Sequence, residues 1–213
     1  MSLLPTRDAS EADWIVSAEG PWYVVGTYGP PVFETYARVA LHRDDVTAHG
    51  YSHHPADDKR ILAAVLAILG DHTSTPDALN VAIWVGFGHS LPRAAHFEIP
   101  AREFALLTGT VEDALDPTSL DLEPGAIELP QMIWPHDRAW MVCWDVDEVN
   151  NFSVGGSAVA MAQLQATDGV CRDRPVRHAR GRLDLVAHHG RASEATVAAW
   201  TSGFPEPSWP PSS

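Results

Sequence analysis

From position 33 to 41 the chain alternates, with Phe33, Thr35, Ala37, Val39 and Leu41 on one side of an extended backbone and Glu34, Tyr36 and Arg38 on the other. A period of two predicts a half-buried strand. Residues 59–69 are apolar nearly all round, which predicts a buried helix closed by Gly70. Residues 79–85 read as a strand ended by Gly86-Phe87-Gly88, and 96–99 and 103–108 as two shorter ones. The strongest strand pattern covers 139–146. There Trp140, Val142, Trp144 and Val146 face one way and Ala139, Met141 and Cys143 the other. Apolar residues on both faces predict a central strand.

Weaker signals fill the gaps. Residues 11–18 predict a first helix, with Ser10 and Asp13 at capping-box spacing. Aromatic and β-branched content predicts a strand over 22–27, followed by a Gly29-Pro30-Pro31 turn. Residues 42–58 read as a long polar loop, 110–115 as one helical turn and 116–130 as an acidic connection. Residues 152–154 read as extended, Gly155-Gly156 as a turn, and Ser157 as the cap of a helix running to about 165. Strands and helices that alternate irregularly predict an α+β fold, with a mixed, mainly antiparallel sheet and two or three packed helices. The expected organisation is a single domain over 1–203 and a Pro/Ser-rich tail over 204–213.

Composition narrows the classes. With 213 residues, 45% of them hydrophobic, the chain is long enough to bury a full core. Its only cysteines, Cys143 and Cys171, do not form a C-x-x-C pair, so neither a disulfide scaffold nor a zinc ribbon is indicated. The opening residues carry no apolar signal region, and the longest apolar run, 61–69, is far short of a membrane span. The expectation is a cytoplasmic protein with no membrane partner. A formal charge of −14 argues against nucleic acid as a general partner. Lys59 is the only lysine among abundant Ala, Pro, Asp and Gly, a bias of GC-rich genomes.

Several groups invite a chemical reading. Glu34, Tyr36 and Arg38 form a polar ridge, either a solvated sheet face with a Glu–Arg contact or a recognition surface built on Tyr and Arg. Backbone amides at Gly155-Gly156-Ser157 can hold an anion at a helix start, although no phosphate-loop pattern is present. Asp145 and Asp147 share one side of a strand end, open either to acid–base work or to pairing with Arg38 or Arg138. His49, His53 and His54 lie in one loop with Asp57 and Asp58 but lack convergent ligand spacing, so neither metal nor cofactor is expected. Acidic residues cluster between 112 and 128 and arginines between 172 and 182; either the two segments dock on each other or the arginines form a nucleic-acid patch, which the net charge of −14 disfavours.

Two blocks carry a family resemblance. The first is Pro31-Val32-Phe33-Glu34-Thr35-Tyr36-Ala37-Arg38-Val39. The second is Trp134-Pro135-His136-Asp137-Arg138-Ala139-Trp140-Met141-Val142, followed by Asp147 and Val154-Gly155-Gly156-Ser157. In this order the chain resembles a family of uncharacterised proteins of high-GC Gram-positive bacteria, in which an FE-x-YAR strand precedes a WP-x-DRAW…VGGS segment. The resemblance spans about 20–166. The family has no established activity and implies no catalytic residue. The chain departs from it at Ala40-Leu41-His42-Arg43, where the family has Leu-His-Pro, and at Val85, where it has an acidic residue.

The expected function is a non-catalytic module that binds a protein or small ligand, of the inhibitor or immunity type. Its binding candidates are Glu34, Tyr36, Arg38, Asp137, Arg138, Asp147, Gly155, Gly156 and Ser157. The alternative is a hydrolase-like enzyme with carboxylate chemistry around Asp137, Arg138 and Asp147.

Overall fold

A computed structural model describes residues 2–41, 44–47, 50–52, 55–87, 91, 93–116, 129–147 and 151–167. The elements in chain order begin with β1 (Leu4–Pro5), a 3-10 turn (Ser10–Ala12), α1 (Asp13–Val16), α2 (Trp22–Tyr28) and β2 (Thr35–Ala40). A small hairpin, β3 (Asp44–Thr47) and β4 (Gly50–Ser52), leads to α3 (Pro55–Gly70) and β5 (Leu79–Trp84). Then come β6 (Ala95–Ile99), β7 (Arg102–Gly109) and α4 (Val111–Leu115). The last described elements are β8 (Met132–Pro135), β9 (Met141–Cys143), β10 (Asn151–Gly156) and α5 (Ala158–Ala166).

Eight strands form one sheet in the order β1-β7-β5-β8-β9-β10-β2, with β6 beside β7. Every described pairing in it is antiparallel. The α+β class and the mainly antiparallel sheet are as the sequence predicts. The sheet buries both faces because its strands alternate between two sets of apolar residues. On the first face Val81, Ile133, Val142 and Val154 meet Leu62, Val65 and Leu66 of α3 and Leu164 of α5. On the second, Ala82, Leu106, Trp134 and Met141 meet Ile15 of α1 and Val25 of α2. Trp140 and Val142 lie in the first core and Met141 and Cys143 in the second, as the alternation over 139–146 predicts. The ladder itself is shorter than predicted. Arg138, at φ 57, turns the chain ahead of β9, and past it the Trp144 amide donates to the Gln131 carbonyl at 2.7 Å.

The differences from the sequence reading each have a physical cause. Residues 22–28 are a helix, not a strand. Pro21 at its N-cap has φ −62 and ψ 134, and its carbonyl accepts from Val24 at 2.9 Å. Burying Val24, Val25 and Gly26 on the sheet overrides the strand preference of aromatic and β-branched residues. The loop expected over 42–58 contains the β3–β4 hairpin and the first turn of α3. That hairpin lacks apolar alternation, and Pro55 with two aspartates suits a helix N-terminus rather than a loop. β8 escapes the pattern because its three apolar residues sit between Pro130 and Pro135. Ser10 does not pair with Asp13. Its amide and hydroxyl donate to Asp8, at 3.0 and 2.9 Å. Thr110 and Asp113 form the capping box instead, starting α4.

Gly155 and Gly156 belong to β10, not to a turn. Gly155 lies opposite Tyr36, and a Cβ there would meet the rings of Phe33 and Tyr36. Glycine at this position makes room for two aromatic rings on the backbone.

Candidate functional site

Tyr36 is 2% exposed, so Glu34, Tyr36 and Arg38 do not form an open ridge. Their side of β2 belongs to the sheet face that α2 covers, because 22–28 is a helix packed against β9 and β10. The Tyr36 hydroxyl donates to the Pro30 carbonyl and accepts from the Phe33 amide at 3.3 Å. Burial pushes its pKa up to about 12. Arg38 donates to Ser153 Oγ at 3.1 Å and lies 5.3 Å from the Tyr28 ring centroid. Glu34 is exposed, and its Oε2 accepts from the Ala158 amide at 2.9 Å. Ser157 Oγ accepts from the Ala160 amide at 3.2 Å, capping α5 as predicted. The α5 N-terminus, the anion position suggested by Gly155-Gly156-Ser157, thus already holds a carboxylate of the same chain.

Asp137 and Asp147 are not brought together. β8 and β9 run antiparallel, with Asp137 in the turn between them and Asp147 beyond the opposite end of β9. Asp137 fastens the loop before β5. It accepts from Thr73 Oγ1 at 2.7 Å, the Ser74 amide at 2.6 Å, Ser74 Oγ at 2.8 Å and the Ala139 amide at 3.1 Å. Burial raises its pKa, but those hydrogen bonds outweigh it and hold the carboxyl below its usual range. Arg138 points elsewhere, 3.6 Å from Glu11 Oε2 and 5.8 Å from the Trp14 ring centroid.

A depressed folded pKa stabilises the fold above the unfolded value, and that stability is lost as pH falls through the folded one. Asp137→Asn should therefore reduce stability near neutral pH by about 1 kcal/mol, a charged hydrogen-bond contribution trimmed by solvent exposure. The variant should also show a shallower loss than wild type between about pH 4 and pH 2. Thermal melts across that range read the difference, and parallel curves would contradict this role for Asp137.

The cluster with the most concentrated chemistry centres on Arg102, which the sequence did not single out. Arg102 opens β7 after the two-residue Pro100-Ala101 turn, where Ala101 takes φ 65. Its guanidinium lies 5.6 Å from the Trp22 ring centroid and 5.2 Å from that of Trp84. Its Nη2 is 2.6 Å from Asp147 Oδ2 and 3.7 Å from Asp145 Oδ1. Asp145 Oδ2 also accepts from Thr27 Oγ1 at 3.3 Å, and Asp145 Oδ1 from the Asp147 amide at 2.9 Å. The expectation that Asp145 and Asp147 share one side of a strand end holds, with Arg102 as their partner rather than Arg38 or Arg138. A sequence pattern does not reveal this, because Arg102 and Asp147 meet only through the β7-β5-β8-β9 order.

Exposure is uneven here. The side chains of Arg102 and Asp145 are 15% and 10% exposed, whereas that of Asp147 is 81% exposed. Beside them Trp22 and Tyr23 form an edge-to-face pair, ring centroids 6.1 Å apart, on the outer side of α2. Both remain open to solvent, Trp22 at 37% and Tyr23 at 46%. A small cleft behind the guanidinium is lined by Gly26, Phe104, Gln131, Trp144 and Val146. The arrangement is an aromatic ledge with a fixed cation and a solvent-facing carboxylate. It suits recognition, through apolar contact and directional hydrogen bonds.

The remaining candidates carry little chemistry. The Cys143 thiol is fully buried and donates to the Gly26 carbonyl at 2.9 Å; burial pushes its pKa far up. His49, His53 and His54, the Asp57 side chain, Cys171, the arginines at 172–182 and the tail at 204–213 lie outside the described residues, as do all but Glu112, Asp113 and Asp116 of the acidic cluster. Among the described residues, no three His, Cys, Asp or Glu side chains are grouped to hold a metal ion, and no helix is long and apolar enough to cross a membrane. No protein-family model, curated protein or solved structure matches this chain.

Proposed function

We propose that this chain is a non-catalytic binding module of the inhibitor or immunity type, and that Trp22, Tyr23, Arg102 and Asp147 form its recognition surface. One observation carries the reading: Trp22 and Tyr23 stay exposed beside a guanidinium held by two carboxylates and two indole rings. Trp, Tyr and Arg are the residue types that dominate binding energy at interfaces. A pre-positioned arginine loses little freedom on binding. The carboxylate alternative draws no support from Asp137 and Asp147, which lie at opposite ends of β9.

The two blocks that carry the family resemblance are, on this reading, a structural signature rather than a site. They meet in the fold: Tyr36 lies opposite Gly155, Arg38 bonds Ser153, and Glu34 reaches the start of α5. The membership itself remains part of the proposal.

Peptide display against the immobilised protein, followed by calorimetry on the selected sequences, tests this reading. Trp22→Ala with Tyr23→Ala should weaken the selected ligands at least about tenfold, as interface hot spots do, while leaving the melting temperature nearly unchanged. Equal binding by both proteins would overturn the surface assignment. Turnover in a general hydrolase screen, abolished by Asp145→Asn or Asp147→Asn, would overturn the non-catalytic reading.

A further inference from the structure

The sheet face that carries the second core also carries a buried amide. Asn80 stands in the middle of the sheet on β5, between Thr108 of β7 and Trp134 of β8, and is 1% exposed. Neither its Nδ2 nor its Oδ1 has a hydrogen-bond partner. Directly across the β5–β8 pair stands fully buried Trp134, whose Nε1 is also unbonded. The Trp134 ring meets Trp14 of α1 edge-on, centroids 6.2 Å apart, and the buried Trp14 Nε1 is likewise unbonded. Three neighbouring side chains thus offer four N–H donors and one carbonyl oxygen with nothing to receive or supply them. Buried polar groups in folded proteins are almost always hydrogen-bonded, to protein or to ordered water. Leaving several in one patch works against a fold of marginal stability.

We propose that the Asn80–Trp134–Trp14 cluster is a binding site for internal water. The chemistry of the donor set selects the occupant. Donors outnumber acceptors, so the guest must accept more bonds than it gives, yet must supply a proton to Asn80 Oδ1. Water does both, with two lone pairs for the indole and amide N–H groups and a hydrogen for the carbonyl. A bare anion would leave Oδ1 unsatisfied, and burial of its charge beside apolar rings is costly.

The site also has a role in the fold. A one-residue slip of β5 against β8 would turn Asn80 into the first core, beside Leu107 and Ile133 of the neighbouring strands. A bridge from Asn80 to Trp134 penalises that slip. Apolar residues cannot do this, because both faces of β5 are otherwise lined by them.

Two measurements test the proposal. In wild type, the Trp134 indole proton, assigned by its loss in Trp134→Phe, should show a rotating-frame cross-peak to a long-lived water. In a second protein, Asn80→Leu keeps the volume and removes the amide. Oxygen-17 relaxation dispersion should then register at least one fewer long-lived water, and the midpoint of urea unfolding should fall. Absence of the cross-peak would overturn the proposal, as would an unchanged water count in Asn80→Leu. So would a high-resolution crystal structure showing a direct Asn80–Trp134 hydrogen bond or a guest other than water.

Discussion

Replacing Trp140 by alanine should lower the unfolding free energy by about 3–5 kcal/mol, the range for truncating a large buried aromatic. Trp140 is 1% exposed and lies in the first core. Its Cβ approaches Gly156 of β10, where Met161 of α5 also packs, so it helps hold the β8–β9 turn, β10 and α5 together. Gly156 has no side chain to fill the void, and the backbones of β10 and α5 cannot close in without shifting, so much of the cavity should persist. Denaturant unfolding measures the loss. A value under about 1 kcal/mol, the surface-mutation scale, would contradict this placement. Trp22→Ala is the control. Trp22 is 37% exposed on the outer side of α2, and its removal should cost far less.

What was legible in the sequence is what period and local chemistry decide. Alternation over 33–41 and 139–146 identified β2 and β9 and divided the residues within those strands between faces, while Phe33 just ahead of β2 packs in the second core and Ala139 just ahead of β9 against the first, opposite to the pattern. Ser157 was readable as a cap because its hydroxyl acts within its own helix, on Ala160. The failures that misplaced the candidate site involve a partner far along the chain. Residues 22–27 look like a strand until the sheet face that α2 covers is known. That one error made the second side of β2 seem open, and so made Tyr36 look like a recognition residue. Asp137 looked chemical because its four hydrogen-bond donors lie partly in the loop at 73–74. Arg102 looked ordinary because its indole and carboxylate partners come from α2, β5 and the segment after β9. A candidate site built from such contacts follows from topology, and topology is the part that one sequence specifies least directly.

Gly155→Val is the second severe substitution, and its cause is the opposite of a cavity. Gly155 sits in β10 between Tyr36 of β2 and Met141 of β9, on the face that α2 covers. A single methyl there would overlap the Phe33 ring and lie 2.8 Å from Tyr36 Cε1, closer than real Cβ contacts come. Neither ring is free to withdraw. Tyr36 is tied through its hydroxyl to Pro30 and Phe33, and Phe33 is wedged edge-on between Tyr36 and Trp14. Valine adds two more carbons to a site that does not accept one. The overpacking should cost about 3 kcal/mol or more, the upper end for forced insertion into a packed core. Moving Tyr36 would also break its bond to Pro30 and expose the hydroxyl. Its pKa, held up at about 12 by burial, should then fall toward the ordinary tyrosine value near 10. Ultraviolet titration of the folded variant reads that shift independently of stability. A Gly155→Val protein that melts with wild type and titrates one tyrosine as late would show that the Phe33 and Tyr36 rings do not rest on the β10 backbone.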